Sequence, residues 1–357
     1  MLPGSGAVPL CFDHWRGVMS GQAAVAERPK AGSEDGLRAR LFDSDRTDKL
    51  LGFEDALKAR VSSRQLLWID VEGDLDEAHR QALARRFELE PDTVRALADS
   101  ENKPHVALHG EHFHLRVAAE PNAERPGTGS WLELVSGPNV IISRHAERLH
   151  FLEAINERIA ADATIGELDS AEFVASVLDA VVTTYYAAAD RIEDELDAHD
   201  SRALEDPRSK DGIARLIAMR RRIGQLRRLL AAHRELFGSL GRPDFGRGIS
   251  SADPDVFLPV AGRFEGALAS VESTRELVLS SFDVLMTRTA QRTNDVMRAL
   301  TLITVLGLPA TITAGLLGMN VIVPVSKDDP MSFWLIVGVV VFLEIVLLGL
   351  ARLRRWI

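Results

Sequence analysis

The last hundred residues hold an uninterrupted helical pattern that runs directly into an apolar segment. From Ala267 to Leu306 the sequence contains no Gly or Pro, and no charged residue occurs from Ala299 to Leu317. A second apolar segment, Met331 to Ala351, follows. About 20 apolar residues suffice to cross a bilayer as a helix. The sequence therefore predicts one helix over residues 255–318, about 95 Å long at 1.5 Å per residue and too long for a compact domain, followed by a second membrane span.

Basic residues predict the orientation of the two spans. They lie before the first span and after the second: Arg288, Arg292, Arg298, Arg352, Arg354 and Arg355. The linking loop holds only Lys327 beside two aspartates. Because cytoplasmic flanks carry the excess of Lys and Arg, we expect both termini in the cytoplasm and the 318–330 loop outside.

Charge and cysteine content restrict the partners. The chain has a net charge of −10, and its acidity lies ahead of Ala299, because residues 299–357 carry four basic and three acidic side chains. An acidic soluble part argues against nucleic acid and is compatible with cations. Cys11 is the single cysteine, which excludes a disulfide framework and a thiolate metal site. We expect no cofactor.

The N-terminal half alternates strand and helix signals. "LLWIDVE" is typical of a strand, Asp76–Glu88 and Asp92–Asp99 of helices, and "HVALHGEHFHLRV" and "WLELVSGPNVIISR" of hairpins. This pattern predicts an α+β domain. Helices are then predicted at 146–162, 168–199 and 211–238. The second of these helices ends in acidic residues and the third is basic, which favours a charged antiparallel hairpin whose solvated faces pair with each other.

Small and polar residues follow one face of the long helix. Steps of three and four give Ser280, Asp283, Thr287, Ala290, Asn294, Met297, Thr301, Thr304, Leu308, Thr311, Gly315 and Gly318. Such a stripe has two interpretations. It allows close packing of helices, or it lines a water-filled pore with hydroxyls and carbonyls.

Three features favour the pore. Asn294 and Asp283 continue the stripe below the membrane, where packing of lipid-embedded helices does not need them. Pro309 leaves the carbonyl of Val305 without its helical donor, which is tolerated at membrane depth where water or protein meets that carbonyl. The stripe also ends on the polar sequence Gly-Met-Asn, Gly318 to Asn320.

The sequence resembles the CorA-type divalent-cation transporters. "TNDVMRALTLITVLGLPATITAGLLGMN" resembles their pore helix, "SFDVLMTRTAQRTNDVMR" their stalk, and "WIDVEG" with "ENKPHVALHGEHFHLRV" their cytosolic domain. The resemblance implies an α/β/α sandwich, long stalk helices and two C-terminal transmembrane helices, assembled as a homopentameric funnel in the inner (plasma) membrane of a bacterial cell. The implied partners are divalent cations (Mg²⁺, or Zn²⁺, Co²⁺ and Ni²⁺), membrane lipid and further copies of the chain.

The resemblance also assigns roles to residues. It implies that Gly318, Met319 and Asn320 form the outer selectivity filter and that Asn294 forms a polar ring at the inner mouth. Met297 and Leu308 would be hydrophobic constrictions, Thr311 a hydroxyl ring and Asp283 an acidic ring. The implied segments are a disordered leader at 1–36, the cytosolic α/β domain at 37–165, a charged helical hairpin at 166–252, the stalk at 253–298, the pore helix at 299–320, a periplasmic loop at 321–330, the second span at 331–351 and a basic tail at 352–357.

Two departures distinguish this chain from the magnesium channels of the family. Those channels carry a Leu-Glu-Asp stretch whose aspartate binds a regulatory Mg²⁺ together with an aspartate of the stalk. This chain has Val94-Arg95-Ala96 in place of the stretch, and the position that matches the stalk aspartate falls near Pro259. The outer-loop sequence "NVIVP" is nearer to the zinc-transporting ZntB branch.

Ionisable residues outside the stripe offer two further candidates. His105, His112 and His114 alternate with apolar residues and are expected on one outer face of a hairpin, either as solvated surface histidines or as a cytosolic zinc or nickel site. Glu344 lies within the second span, where a carboxylate forms an inter-subunit hydrogen bond, stays protonated or takes part in transport.

Two functions remain open from the sequence. The first is transport of divalent cations through a homopentameric pore. The alternative is a membrane-anchored coiled-coil scaffold or metal sensor with a non-conducting pore. The sequence does not indicate an enzyme, because it shows no Gly-rich phosphate loop, no G-x-S-x-G and no His/Glu metal motif on a helix.

Overall fold

The computed structural model describes most of the chain in nine segments. They are residues 36–43, 48–98, 102–110, 112–120, 130–159, 169–205, 212–249, 255–318 and 330–353. The predicted leader at 1–36 lies outside these residues, apart from Gly36.

A seven-stranded sheet occupies the N-terminal half, with the strand order β2-β1-β3-β7-β6-β5-β4. Its strands are β1 (Leu37–Asp43), β2 (Lys49–Leu51), β3 (Gln65–Glu72), β4 (His105–His109), β5 (His112–Glu120), β6 (Ser130–Gly137) and β7 (Val140–His145). Strands β3 and β7 are parallel, and the other neighbours are antiparallel. Both predicted hairpins are present. The mixed sheet adds β1 and β2, which the sequence did not indicate.

Helices of 6 to 61 residues accompany and follow the sheet. They are α1 (Phe53–Lys58), α2 (Glu77–Phe87), α3 (Pro91–Ala98), α4 (His150–Ile159), α5 (Ser170–Glu205), α6 (Gly212–Leu240), α7 (Pro243–Ile249), α8 (Leu258–Gly318) and α9 (Pro330–Leu353). The long helix α8 spans 61 residues. Its bounds confirm the prediction of a single helix that continues into the first apolar segment.

The sheet lies between two helical layers. On one face, Ile69 and Ile142 pack with Leu83 and Leu97 of α2 and α3. On the other face, Trp68 belongs to a larger core built from α4, α5, α6 and the first part of α8. Alternate side chains of β1, β3, β6 and β7 feed the two cores, as the period of two in a strand requires. The predicted α/β/α sandwich is confirmed.

Ion pairs join α5, α6 and α8 side by side. The guanidinium of Arg222 on α6 makes two hydrogen bonds to Glu195 on α5, at 2.6 and 3.0 Å. This contact agrees with the predicted charged hairpin. Other arginines of α6 pair instead with α8, through Arg234 and Glu265 at 3.1 Å and through Arg227 and Glu272. The three helices therefore form one bundle that carries the base of the stalk.

A histidine of α6 fastens this bundle to the sheet. The register of β5 and β6 shifts after Ala118, and the Ala118 amide donates a hydrogen bond to Nε2 of His233 at 2.9 Å. Nδ1 of His233 donates to the Leu229 carbonyl at 2.7 Å, and the hydroxyl of Tyr185 donates to the Ala118 carbonyl. This arrangement requires a neutral imidazole, because Nε2 must accept.

We expect the domain that precedes the apolar helices to lose stability as pH falls from about 6.5 to about 4. Burial lowers the pKa of His233 to about 4, against 6.5 in the unfolded chain. In that window the unfolded chain binds a proton that the folded chain excludes, at a cost of about 3 kcal/mol at the acid end. Urea unfolding across this pH range measures the change in the free energy of unfolding. The His233→Gln variant does not titrate and is expected to show a smaller pH slope; an equal slope would assign the effect to other groups.

A glycine permits the close contact between α5 and α8. A Cβ at Gly266 would lie 2.4 Å from the hydroxyl of Tyr186, whereas a Cβ at Gly262, one turn earlier, would meet nothing within 4 Å. We expect Gly266→Ala to lower the free energy of unfolding by about 1–3 kcal/mol through overpacking.

Gly262→Ala is the matched control, and we expect it to raise that free energy by about 0.5–1 kcal/mol. Adding Tyr186→Phe to Gly266→Ala removes the clashing oxygen and should recover most of the loss. Equal effects of the two glycine substitutions in chemical denaturation would contradict the close contact.

Candidate functional site

Helix α8 carries the candidate site along one exposed face. Up to Val278 its other face is buried against α5 and α6 through Val260, Phe264, Ala267, Val271 and Thr274. From Asp283 to Gly318 the stripe side chains are exposed or half-buried. One copy of the helix presents these residues as one wall and does not bring them around a centre.

The exposed face of α8 continues from Ser280, where the predicted stripe begins, towards the N-terminus of the helix. Glu276, Ser273 and Ala269 are exposed and extend the steps of three and four down from Ser280, whereas the next position, Gly266, is half-buried against Tyr186 of α5. The spacing is visible in the sequence, but the sequence alone did not show which face of this segment is exposed. The exposed stripe thus runs from Ala269 to Gly318, with Glu276 two turns from Asp283.

The threonines of the stripe direct their hydroxyl protons into the helix. Each donates to the carbonyl four residues earlier, at 2.7–2.9 Å: Thr287 to Asp283, Thr301 to Met297, Thr304 to Leu300 and Thr311 to Gly307. Such bonds are a common state of threonine in helices. Because the proton is used internally, the hydroxyl oxygens offer lone pairs outward. A surface of acceptors suits a cation and its hydration waters better than an anion.

The part of α8 from Ala299 to Gly318 has no charged side chain. Met297 and Leu308 are 60% and 55% exposed. Pro309 lies inside the helix, so the carbonyl of Val305 lacks its usual amide donor. Gly318 is the last residue of α8, and Met319 and Asn320 lie outside the described residues.

The two apolar helices are long enough to cross a membrane. The apolar windows of α8 and of Trp334–Leu353 have mean hydropathies of 1.9 and 2.7, and neither is buried within the chain. Helix α9 packs alongside α8. Glu344 is half-buried on α9. Both helices fit insertion into a membrane.

The histidines of the first hairpin do not form the expected open cluster. His114 is only 2% exposed, and its Nε2 lies 3.9 Å from Oε2 of Glu133. Arg116 and Arg144 donate to Oε1 of Glu133 at 2.9 and 3.0 Å. Arg116 also donates to the Ala96 carbonyl of α3 at 2.8 Å, so this helix covers the face that we expected to be open.

The three histidines are therefore distributed differently from our expectation. The rings of His105 and His114 lie 5.8 Å apart, and burial, together with His114 and Arg116, lowers the pKa of His105. His112 lies instead against Gly137 at the end of the strand. Within the described part of the chain, no group of three His, Cys, Asp or Glu side chains could hold a metal ion. The structure gives no support to the zinc or nickel site.

The segment that replaces the acidic Leu-Glu-Asp stretch lies on α3. Val94 is half-buried, and Arg95 is exposed on the solvent side of the helix. Arg95 pairs with Asp92 one turn earlier. This surface carries a guanidinium where the magnesium channels would offer carboxylates, so it is not suited to bind a divalent cation.

Comparison with known proteins gives consistent results over most of the chain. The family model of the CorA-like Mg²⁺ transporter protein matches residues 63–352. The cobalt/magnesium transport protein CorA of Thermotoga maritima is 25% identical over 279 residues, which cover 76% of this chain and 78% of that protein. The divalent cation transporter CmaX of Pseudomonas aeruginosa is 32% identical over 144 residues, 40% of this chain and 43% of that protein.

Solved structures share the fold. Full-length CmaX superposes with a TM-score of 0.71 at 22% identity, over 90% of this chain and 100% of that one. The CorA magnesium transporter of Methanocaldococcus jannaschii gives 0.72 at 18% identity, over 90% and 98%. The ZntB cytoplasmic domain of Vibrio parahaemolyticus gives 0.57 at 13% identity, over 72% and 99%, which shows a common fold alone. From the extent of the family match, we conclude that the chain belongs to the CorA-like Mg²⁺ transporter family.

Proposed function

We propose that this protein transports divalent metal cations across the inner membrane through a homopentameric pore lined by α8. One observation carries the proposal: a single helix, Leu258–Gly318, runs from the cytosolic bundle through the first apolar segment, and its exposed stripe from Ala269 to Gly318 consists mostly of small and polar residues. Membership of a family of transporters, not of enzymes, supports metal ion transport as the activity.

The chemistry of the stripe fits a hydrated cation. Mg²⁺ gives up its water reluctantly and prefers to keep most of its octahedral shell. Outward oxygen lone pairs of Thr301, Thr304 and Thr311 can accept hydrogen bonds from that shell without a fixed charge to trap the ion. At the outer end, Gly318 carbonyls and Asn320 amide oxygens would form a neutral ring that recruits the ion and releases it.

A ring of copies is needed because two spans cannot enclose a pore. Closed cyclic symmetry makes the same face of every α8 line one axis. We propose five copies, in keeping with the family resemblance. The basic residues that flank both spans support cytoplasmic termini, with residues 318–330 on the outer side.

One experiment determines which ion is transported and whether its transport is coupled to protons. The purified full chain is reconstituted in proteoliposomes, and uptake of Mg²⁺, Co²⁺, Ni²⁺ and Zn²⁺ is measured with and without a pH gradient. A channel passes at least one ion down its gradient without a pH gradient, and a proton-coupled transporter requires one. A scaffold or sensor with a closed pore passes none, and that result would refute the proposal.

A further inference from the structure

Helix α5 presents an acidic stripe, which consists of Asp190, Asp194 and Asp197. All three side chains are exposed, and none has an ion pair or hydrogen bond to another residue that the structure describes. Desolvation and the charges of Glu193 and Asp194 raise the pKa of Asp190. These like charges repel one another and lack an ion-pair partner among the described residues, although Arg191 lies exposed beside them on the same helix.

Helix α6 presents the opposite charge as a basic stripe, which consists of Arg220, Arg221 and Arg228. These side chains are exposed and lack a partner among the described residues, whereas three other arginines of the same helix are paired within the chain: Arg222, Arg227 and Arg234. Towards the start of α6 the same face continues with Ile213 and Ile217, which are 39% and 49% exposed. This face of α6 is thus both basic and apolar, and it is uncovered.

The position of the acidic stripe along the bundle follows from the contacts between α5 and α8. Two hydrogen bonds join these helices with one constant offset in residue number: Glu193 to Thr274 and Asp200 to Ser281. Helices α5 and α8 therefore run parallel and in step. By the same offset, Asp190 lies level with Val271 and Asp197 lies level with Val278.

The basic stripe is found at the same height. Two ion pairs join α6 to α8 with a constant sum of residue numbers, as antiparallel helices require: Arg227 to Glu272 and Arg234 to Glu265. By this relation Arg228 lies level with Val271, and Arg221 lies level with Val278. Each end of the basic stripe thus matches one end of the acidic stripe.

A ring of copies requires the acidic stripe and the basic stripe to lie at the same height along α8. Copies related by rotation about an axis parallel to α8 meet without any shift along that axis, and the interface is heterologous, so that two different surfaces of one chain must be complementary. An acidic stripe on one helix and a basic stripe on another, matched in height, satisfy this requirement.

We infer that the acidic stripe of each copy docks on the basic stripe of the next copy, with Asp190 opposite Arg228 and Asp197 opposite Arg221. This interface rests on the ring of the proposed function and specifies how its cytosolic parts make contact. Surface ion pairs add little energy each, but charge complementarity fixes register and rejects wrong arrangements. The occupant of both stripes is a second copy of this chain.

Charge reversal in the full-length protein tests the interface. The wild type, Asp190→Lys/Asp197→Lys, Arg221→Glu/Arg228→Glu and the variant with all four changes are weighed by native mass spectrometry in detergent across a dilution series. We expect each double reversal to raise the concentration at which the ring dissociates about tenfold, because like charges then meet. The fourfold variant should return to within about twofold of the wild type. Arg215→Glu/Arg242→Glu changes the net charge equally at exposed arginines outside the stripe and should leave the ring unchanged.

Cysteine cross-linking gives an independent result that does not depend on stability. In a Cys11→Ser background, Asp190→Cys combined with Arg228→Cys should give, on oxidation, a ladder of covalent oligomers. Asp190→Cys alone should give none. Dimers from Asp190→Cys alone would overturn the inference, because they require two acidic stripes to face each other.

The outcomes separate this interface from the proposed function. If the wild type has the mass of a single chain, both the ring and the interface are wrong. If the wild type forms a ring that conducts ions, but the reversals leave its dissociation unchanged and the cysteine pair gives no ladder, the interface is wrong and the transport function stands. Loss of assembly in the doubles without recovery in the fourfold variant also overturns the pairing.

Discussion

Asn320→Leu is expected to reduce divalent-cation flux by at least about 100-fold while the oligomer keeps its mass. The substitution removes the proposed outer ring of amide oxygens, so a hydrated cation loses the hydrogen-bond acceptors that recruit it. Leucine is of similar size and suits the apolar end of a membrane helix, so assembly should survive. Flux into proteoliposomes and native mass spectrometry on the same preparation measure both quantities.

The matched control for this variant is Val321→Leu, at the next position of the chain. It adds apolar bulk at the neighbouring position without changing the Gly-Met-Asn sequence, and near-normal flux is expected. Wild-type flux from an assembled Asn320→Leu protein would refute the assignment of the selectivity ring.

Asp283→Asn is expected to reduce divalent conductance several-fold and to weaken the preference for divalent over monovalent ions. Copies of Asp283 that face one axis repel each other unless a cation lies among them, and a cation-filled ring concentrates ions at the inner mouth. With the charges removed, the oligomer should keep or gain thermal stability when divalent ions are chelated. Flux and thermal unfolding, each with and without chelator, provide the measurement.

Asp295→Asn offers a control on the same helix. Asp295 is 72% exposed and lies off the stripe, beside Arg298, so its neutralisation should change flux little. If α8 is only a packing seam at this level, Asp283→Asn would instead leave transport unchanged and weaken assembly whether or not chelator is present. That pattern would contradict the proposed conduit.

The sequence predicted the helices well because their signals are local. A stretch without Gly or Pro from Ala267 to Leu306 permits little else than a helix, and the bounds of α8 agree with the prediction within three residues. The apolar length of the spans depends on composition alone. Both hairpins also follow from local alternation and from turn residues such as Asn139, which adopts a positive φ of 56°.

Contacts between distant segments could not be predicted in the same way. Strand β2 has three residues, of which Leu50 is 70% exposed, so no alternation marks it. The side chain of His114 is buried because α3 covers this face of the sheet and Glu133 lies beside it, with 3.9 Å between Nε2 and Oε2, and neither contact is local in sequence. The partners of the arginines on α6 depend likewise on how three helices meet.

The absence of a hinge in α8 sets how movement passes along it. Its 61 residues extend about 90 Å at 1.5 Å per residue, and its internal proline is Pro309, close to the outer end. A stiff rod of that length turns each degree of tilt at its N-terminal end into about 1.5 Å of displacement at the far end. Small angular changes in the bundle of α5, α6 and α8 are therefore delivered as large linear changes at membrane depth, and only the turns beyond Pro309 can bend independently of them.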